Sequence, residues 1–388
     1  MTQDKKHIFY IGGIISDSII EECINHSISY DMAANNFQKK FIEGLPKDTT
    51  YINAPFIQYN KQRKRNNIEI CQCLKITKNL SYFNYKYINN ITKYFALKKS
   101  IKNLNFNNSI IFCYSIHTPF LKLIKKIKKN YDVQVIQIVP DLPQFMNLNK
   151  EVSYIYKILK KFDMYRIKKL LNYIDLFVPF TLPMYNDFLI RYKKPYYIME
   201  GISEINTNYD ENKKIEKSKK SVVYAGTLNR KYGVEKLIKV FSFIEDKNIE
   251  LIICGSGELS KEISNTSTTN IKYLGLLNSK QTKELIKNAD LLVNPREELE
   301  AYTRYSFPSK IFEYLSSGNK IICFKLSGIP EDYDQFLYYF KNNDEYTMAK
   351  NIIEVLYDPI NKNNSKNFLK NKTAKKHLEN IFEKLESI

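Results

Sequence analysis

One short segment of the sequence combines residue types suited to holding an anion. The segment SFPSKIFE contains Ser306, Pro308, Ser309, Lys310 and Glu313, and a serine followed by a proline is typical of the first turn of a helix. The free N–H groups of such a turn attract negative charge, and Lys310 adds a cation within reach. The segment predicts a bound diphosphate; the alternative is that Lys310 and Glu313 are solvated residues of a surface helix.

Further candidates follow apolar runs in the first half of the chain. His117 comes after SIIFCYSI, Asp141 after VQVIQIVP, and Gly12 and Gly13 close the run HIFYI. The carboxyl ends of parallel strands meet at one edge of a sheet, so these residues are expected to face a ligand cleft, with Gly12 and Gly13 binding the donor at its floor and Asp141 positioning the acceptor or the sugar. A structural histidine, a helix cap at Asp141 and a simple tight turn at the glycines are the alternatives.

The apolar runs alternate with helical segments along the whole chain. Runs of this kind recur in the second half as SVVYAG, IELIICG, NIKYLG, ADLLVNP and NKIICF, with helical patterns at 233–245, 279–288 and 308–317 between them. This alternation predicts an α/β protein with a doubly wound sheet in each half.

The length of 388 residues favours two domains rather than one core. A polar stretch at 203–220 predicts a linker between an N-terminal domain, residues 1–202, and a C-terminal domain, residues 221–370. We expect the remaining residues, 371–388, to form a helix that packs back toward the N-terminal domain.

Composition excludes several classes of protein. A hydrophobic fraction of 44% is incompatible with a disordered or a fibrous protein. The sequence contains no run of 18 apolar residues, so no membrane-spanning helix is predicted. The six cysteines lie mostly in apolar runs, which indicates a reduced, cytosolic chain. Only Cys71 and Cys73 are close neighbours, and no second pair completes a zinc site, so no metal is expected.

The order of motifs in the second half resembles the retaining glycosyltransferases of family 4, which have the GT-B fold. The resemblance covers roughly residues 221–325 and rests on YAGTLNRKYGVEKLIKVF, LIICGSGE, IKYLGLL, ADLLVNPRE and YSFPSKIFEYLSSGNKIICF. It implies two Rossmann-like doubly wound domains facing a central cleft. The last two motifs resemble the branch found in gene clusters for capsule and cell-surface polysaccharides.

By this resemblance Glu313 is the last glutamate of the family's E-x7-E motif, which accepts hydrogen bonds from the donor ribose. The first glutamate of the motif would fall at Tyr305, where a carboxylate is missing. The resemblance then leaves Glu297, Glu298 or Glu300 to position the sugar, unless this acidic run is only an exposed loop.

The resemblance also implies cations in the loop GTLNRKYG that hold the donor phosphates. Thr227 replaces the usual arginine and Tyr232 replaces a common lysine. Arg230 and Lys231 are therefore the catalytic candidates for compensating the leaving diphosphate. Their alternative is a charged surface turn. His117 occupies a position where family members often have a histidine beside the transferred sugar.

The net charge of +19 is concentrated in one part of the chain. Residues 118–172 contain twelve basic and four acidic residues. Apolar residues at spacings of three and four predict a basic amphipathic helix over 155–174, suited to an anionic membrane surface. A core-facing helix with a solvated basic face is the alternative, and no motif for nucleic-acid recognition accompanies the charge.

These observations predict a retaining glycosyltransferase of the hexosyltransferase type. It would move a sugar from a nucleotide diphosphate donor to a polyprenyl-linked or other surface-glycan acceptor at the inner face of the cytoplasmic membrane. The expected site needs no metal or other cofactor, since cations and helix ends can neutralise the diphosphate. The alternatives are a nucleotide-sugar epimerase of the same fold and a basic nucleic-acid-binding protein without activity.

Overall fold

The structure is a computed structural model that describes residues 6–26, 28, 30–57, 64–72, 75–85, 88–145, 154–204, 218–265 and 268–387. The chain divides into two compact units: unit 1 is Met1–Ile202 with Ala374–Ile388, and unit 2 is Ser203–Thr373. Cys73 and most of the predicted linker lie outside the described residues. Among the described helices, none is both long and apolar enough to cross a membrane.

Unit 1 is built on a seven-stranded sheet with the strand order β4-β3-β2-β1-β5-β6-β7. Its elements up to residue 202 are β1 (His7–Gly12), α1 (Asp17–Asn25), α2 (Met32–Glu43), β2 (Thr50–Asn53), β3 (Arg65–Gln72), β4 (Lys75–Phe83), α3 (Asn89–Ser100), β5 (Ser109–Tyr114), α4 (Thr118–Lys128), β6 (Val133–Val139), α5 (Tyr154–Leu170), β7 (Leu176–Pro179) and α6 (Leu182–Met184).

The centre of this sheet is parallel and apolar on both faces. β1 pairs with β2 and β5, and β5 with β6, all in parallel, with Tyr10 beside Phe112 and Phe112 beside Ile136. Every residue of β5 is buried. Continuous apolar runs form such strands because helices cover both faces, which is why the sequence predicted them.

The antiparallel edge of the sheet was not predicted. β3 pairs with β2 and with β4 in antiparallel register, and the register shifts between Ile70 and Cys71. β4 has the sequence KITKNLSYF and only Tyr82 is buried in it. Such a polar edge strand lacks the apolar run by which the central strands were recognised.

Unit 2 contains a six-stranded sheet with the order β10-β9-β8-β11-β12-β13, in which all pairs are parallel. Its elements are β8 (Lys220–Ala225), α7 (Val234–Phe241), β9 (Ile249–Cys254), α8 (Ser260–Ser264), β10 (Ile271–Tyr273), α9 (Ser279–Lys287), β11 (Leu291–Asn294), α10 (Lys310–Ser316), β12 (Lys320–Cys323), β13 (Tyr338–Tyr339), α11 (Glu345–Tyr357) and α12 (Lys366–Lys370).

Successive residues of β8 show why this sheet needs helices on both sides. Val222 belongs to one buried cluster and Val223 to another, because neighbouring side chains of a strand point to opposite faces. Both residues are fully buried. Unit 2 is therefore a three-layered α/β sandwich whose strands end along one common edge.

The chain returns to unit 1 through α13 (Ala374–Glu386), which packs against α2. A β-carbon at Gly44 would lie 2.9 Å from Ala374, so glycine permits the close approach. The apolar side of α13 joins the core beneath Phe112 and contributes Leu378, Ile381 and Leu385.

His377 fixes α13 to the end of the first 202 residues. Its side chain is fully buried, Nδ1 lies 2.8 Å from the Tyr197 hydroxyl, and Nε2 lies 3.0 Å from the Gly201 carbonyl oxygen. A carbonyl can only accept, so Nε2 carries the proton and Nδ1 accepts from Tyr197.

Replacing His377 with leucine is expected to lower the free energy of unfolding by about 2 kcal/mol, because the buried Gly201 carbonyl loses its donor and the part-buried Tyr197 hydroxyl, which still accepts from Asn380, loses its acceptor. Urea denaturation of wild type and variant measures the change. Lys375→Ala, on the exposed side of the same helix, is the control. A loss no greater than that of the control would contradict the role given to His377.

Candidate active site

The candidate donor site is built at the edge of unit 2 where β8, β9 and β11 end. Gly226 follows β8 and Gly255 follows β9 with φ at +135°. A β-carbon at Gly255 would collide with the carbonyl oxygen of Gly226, and one at Gly257 would collide with that of Leu228. The two loops therefore touch through their backbones, which only glycine allows.

A third glycine brings the loop after β8 against the loop after β11. Gly233 has φ at +77°, and a β-carbon there would collide with the carbonyl oxygen of Pro295. The turn Arg230–Tyr232 precedes Gly233, and the Asn229 side chain accepts a hydrogen bond from the Lys231 amide at 3.2 Å. The segments GTLNRKYG and NPRE, far apart in sequence, are neighbours in the structure.

Arg296 is the main residue of this site that sequence reasoning did not select. Its side chain is only 8% exposed, and its guanidinium lies 5.4 Å from the ring of Tyr232 and 5.7 Å from that of Tyr302. Its buried Nε has no hydrogen-bond partner, and in the described part of the chain Arg296 forms no ion pair. A buried cation without a carboxylate is costly unless an anion joins it.

Arg296 could have been found from one signal, an arginine directly after the apolar strand of ADLLVNP. The Tyr232 ring that it approaches stands at the position where the resemblance led us to expect a lysine. Arg296 therefore supplies a cation near position 232, where a lysine was expected. It belongs to the loop after β11, whereas the expected lysine would have belonged to the loop after β8.

Lys310 and Glu313 lie together on α10. Lys310 Nζ is 2.9 Å from Glu313 Oε2, and Lys310 Cε would lie 3.4 Å from a β-carbon at Gly226. Both side chains are partly exposed. The predicted candidates Lys310 and Glu313 therefore lie beside the loop after β8.

The prediction that Ser306 and Pro308 form the first turn of this helix is wrong. The segment Thr303–Tyr305 forms a 3₁₀ turn and Ser306 is extended, so the helix begins only at Lys310. Ser309 precedes it with helical dihedral angles and makes no side-chain cap hydrogen bond. Pro308 instead offers its carbonyl to the Ile311 amide at 2.9 Å.

Arg230 and Lys231 have different surroundings. The Arg230 guanidinium pairs with Glu235 and, at 2.8 Å, with Glu262, and Glu258 accepts from its amide at 2.9 Å. These carboxylates already neutralise Arg230. The Lys231 ammonium lies 5.3 Å from the Tyr232 ring and pairs with no carboxylate of the described residues.

The acidic run after β11 is mostly tied into loops. Glu297 pairs with Lys236 at 2.6 Å, and Glu298 accepts from the Ser327 amide at 2.6 Å and its hydroxyl at 2.8 Å. Glu300 is exposed. Of the three carboxylates considered as replacements at Tyr305, Glu300 is thus the one whose side chain is not engaged by the described residues.

In unit 1, Gly12 and Gly13 are buried beneath side chains. A β-carbon at Gly13 would lie 2.5 Å from the Phe56 ring, and the Gly13 amide donates to Gln38 Oε1 at 2.9 Å. This amide is therefore already used within the protein. Asp141, at the end of β6, is exposed.

His117 stands at the end of the loop after β5 and pairs with a buried lysine. Lys93 is 6% exposed, its Nζ lies 3.3 Å from His117 Nε2, and the Phe56 ring is 5.7 Å away. Burial lowers the pKa of Lys93 to about 8, and burial with the nearby ammonium holds the pKa of His117 well below its usual range. The imidazole is therefore neutral, accepts at Nε2 and carries its proton on Nδ1.

Lys93 was not selected from the sequence, where it is one of several lysines on α3.

The basic helix predicted at 155–174 is observed as α5, followed by a 3₁₀ turn at Leu171–Tyr173. Its C-terminal apolar residues are buried, but Ile158, Leu159 and Phe162 are exposed.

Comparison with known proteins agrees with this architecture. Residues 206–375 match the family model "Glycosyl transferases group 1". By sequence, no curated protein gives a significant match.

Solved structures give matches over nearly the full length. TarM aligns with 12% identity and a TM-score of 0.60 over 99% of this chain and 100% of TarM. HepE from Anabaena, in complex with UDP, aligns with 12% identity and a TM-score of 0.60 over 98% and 100%. The apo form of the lipopolysaccharide outer core galactosyltransferase WaaB aligns with 14% identity and a TM-score of 0.61 over 98% and 99%.

The predicted α/β fold of GT-B type, with two Rossmann-like units, is thereby confirmed. The prediction that the protein is a glycosyltransferase is confirmed by the group 1 domain together with this fold. Its assignment to family 4 stays a prediction.

The buried Lys93 makes stability depend on pH in a defined window. Its pKa falls from 10.5 to about 8 on folding, so the unfolded chain binds more protons between these values and stability is lost as the pH falls from 10.5 to about 8. Lys93→Met removes this penalty and is expected to raise the free energy of unfolding at neutral pH by about 2 to 3 kcal/mol.

Denaturation of wild type and Lys93→Met at several pH values measures this effect, with Lys98→Met on the exposed face of the same helix as control. The gain should disappear as the pH approaches the ordinary pKa of lysine. A difference that stays constant from neutral to alkaline pH would contradict the lowered pKa.

Proposed function

We propose that the protein is a retaining glycosyltransferase that transfers a hexose from a nucleoside diphosphate sugar to a lipid-linked or other surface-glycan acceptor. The product would be a capsule, exopolysaccharide or lipopolysaccharide. The observation that carries the proposal is the buried Arg296, which forms no ion pair with the described residues and whose Nε has no hydrogen-bond partner among them, near the glycine loops after β8 and β9. Carboxyl ends of parallel strands are where α/β proteins bind nucleotides.

Three cations are assigned to the donor diphosphate. Arg296 offers a planar set of N–H donors, which suits phosphate oxygens, and the rings of Tyr232 and Tyr302 lie 5.4 Å and 5.7 Å from its guanidinium. Lys310 approaches from α10 across Gly226. Lys231 is a third cation for the outer phosphate, whereas Arg230 is less suited because two carboxylates already bind it.

The ribose of the donor is assigned to Glu313, with Ser306 and Ser309 beside it. One carboxylate oxygen of Glu313 bonds to Lys310, which leaves the other to accept a ribose hydroxyl. This ion pair also links the ribose position to the phosphate position. The exposed Glu300 is assigned to the sugar in place of the missing carboxylate at Tyr305, and Glu298 to holding the loop through Ser327.

The acceptor side is assigned to unit 1. A neutral imidazole at His117 can donate from Nδ1 to a sugar hydroxyl, and Lys93 keeps it in that tautomer. Asp141, exposed at the end of β6, is assigned to the acceptor hydroxyl. The glycines Gly12 and Gly13 shape this end of the sheet, although the Gly13 amide is bonded to Gln38.

The chemistry proposed for the site is electrostatic. Negative charge grows on the diphosphate as its bond to the sugar breaks, and cations held in a partly dehydrated site stabilise that charge most at the transition state. We propose that no metal ion is required, because Arg296 and Lys310 supply the positive charge. Retention without a protein nucleophile follows the expectation for the family.

A screen of nucleotide sugars tests the proposal directly. HepE was solved in complex with UDP, so UDP-sugars are the first donors to try, followed by GDP- and ADP-sugars. Thermal shift identifies the nucleotide, and release of UDP that depends on an added acceptor establishes transfer. Conversion of the sugar in the absence of an acceptor would indicate the epimerase instead.

We further propose that the protein binds the inner face of the cytoplasmic membrane. The exposed face of α5 carries Lys157, Lys161 and Lys168 together with the exposed Phe162. Lysines near an anionic surface contribute roughly 1 kcal/mol each.

Arg296→Gln is expected to weaken UDP binding by about 1.5 to 3 kcal/mol, because a charged partner of the diphosphate is removed. The unliganded variant should be as stable as wild type or more stable, since a buried unpaired charge is lost. Calorimetric titration with UDP and thermal unfolding measure the two effects.

Arg191→Gln, which removes an exposed arginine of unit 1, is the matched control. Arg230→Gln tests the competing candidate and should affect UDP binding less than Arg296→Gln. Unchanged UDP affinity in Arg296→Gln would remove this residue from the donor site.

Replacing Lys157, Lys160, Lys161, Lys168 and Lys169 with glutamine is expected to release the protein from anionic vesicles and to leave transfer to a short soluble acceptor intact. Their attraction to the surface is electrostatic and weakens with salt. Vesicle sedimentation at low and moderate salt measures it. Wild-type protein that ignores anionic vesicles would contradict the membrane assignment.

A further inference from the structure

A cavity of about 580 Å³ opens between α4 and α5 in unit 1 and carries an unusual density of positive charge. Six cations line it: Lys122, Lys125, Lys126, Lys129, Arg166 and Lys169. Among the described residues that line it, none is acidic. Like charges gathered in a concave surface repel one another and focus a field that attracts an anion.

The acidic residues nearby do not neutralise these cations. Asp175 pairs with Lys128, outside the cavity lining, at 2.5 Å, and Asp163 accepts from the Thr118 hydroxyl at 2.8 Å. Within the described ranges none of the six lining cations forms an ion pair. As far as the described residues are concerned, the charge of the cavity is therefore left for an external ligand.

Tyrosine rings hold part of this charge in place. Lys122 lies 5.6 Å from the ring of Tyr94, and Lys169 lies 4.5 Å from that of Tyr165. Both tyrosines line the cavity. A cation above an aromatic face is restricted in its motion, so less freedom is lost when an anion binds.

The two helices that contact α4, α3 and α5, both contribute lining residues to the cavity, and both also carry exposed apolar side chains. Phe95 on α3 and Phe162 on α5 are each 60% exposed, and Ile91 and Leu159 beside them are 54% and 47% exposed. Soluble surfaces rarely collect large apolar residues next to one charged cavity.

We propose that this cavity binds the phosphate of an anionic lipid headgroup at the membrane surface, with the side chains of α3 and α5 at the hydrocarbon boundary. The inference rests on the proposed membrane association and specifies its ligand and its residues. A free phosphate accounts for the cations alone, whereas a lipid accounts for the cations and for Phe95 and Phe162 together. Nucleic acid also leaves the apolar side chains without a partner.

The test uses the full chain and a triple substitution confined to α4 and its end: Lys122→Gln, Lys126→Gln and Lys129→Gln. The control removes the same charge from the layer of α2 and α13, through Lys47→Gln, Lys375→Gln and Lys384→Gln. A third variant, Phe95→Ser with Phe162→Ser, tests the apolar flanks. None of these positions belongs to the donor site.

Co-sedimentation with vesicles of phosphatidylcholine, alone and mixed with phosphatidylglycerol, gives the affinity of each variant. The cavity variant is expected to lose on the order of a hundredfold in affinity for the anionic vesicles, since each lysine near the surface is worth roughly fivefold. The control should stay within a few-fold of wild type, and the phenylalanine variant should bind more weakly than the control.

Equal losses in the cavity and control variants would overturn the proposal, because attraction would then follow net charge only. Tight binding of inorganic pyrophosphate or duplex DNA by wild type, without vesicle binding, would also overturn it. If the cavity variant has an altered circular dichroism spectrum, Lys126→Glu alone is used and should show the same selective loss.

The outcomes separate this proposal from the proposed function. Vesicle binding that depends on α5 but not on the α4 lysines would contradict the assignment of the cavity as a lipid site. It would leave the proposed membrane association unchanged. A selective loss of vesicle affinity in the cavity variant would support the cavity as a lipid site. If the protein also transfers no sugar from any nucleotide donor, the proposed function would be contradicted while the lipid site would remain supported.

Discussion

The donor side of the protein depends on the contact between the loops that follow β8 and β9. Gly255 and Gly257 leave no room for a β-carbon against Gly226 and Leu228. The edge of the sheet at this point consequently presents backbone, and charge must come from longer side chains anchored elsewhere. Arg296 from the loop after β11 and Lys310 from α10 meet that requirement. A side chain at Gly255 would separate the two loops and would displace the residues around Arg296 and Lys310.

The positive residues of the chain occupy physically distinct environments, which net charge alone does not distinguish. Arg230 is neutralised by carboxylates at the surface, and Lys93 is buried with a lowered pKa. Arg296 is buried without a carboxylate, and the lysines of α4 share one cavity. Of these four environments, the last two leave positive charge to be satisfied by a ligand, one beside the donor loops and one at a surface.

The strands that were predicted from the sequence are those that are buried on both faces of a sheet, because such strands consist of continuous apolar residues. The continuous apolar runs of β5, β6, β8 and β9 could form only central parallel strands. β3 and β4 were not predicted because polar residues interrupt their apolar pattern, and β13 was not predicted because it has only two residues. Arg296 and Lys93 were missed because burial of a charge is decided by side chains distant in sequence. At Ser306 a local rule failed, since the preceding 3₁₀ turn delays the helix.

The return of the chain through α13 has a consequence for synthesis. Unit 2 is complete in sequence before α13 is made, so the whole of its sheet can assemble while unit 1 still lacks Leu378, Ile381 and Leu385. Until these residues arrive, apolar side chains around Phe112 stay uncovered. Although unit 1 begins first on the ribosome, its core cannot be complete until α13 has been made, after the last residue of unit 2.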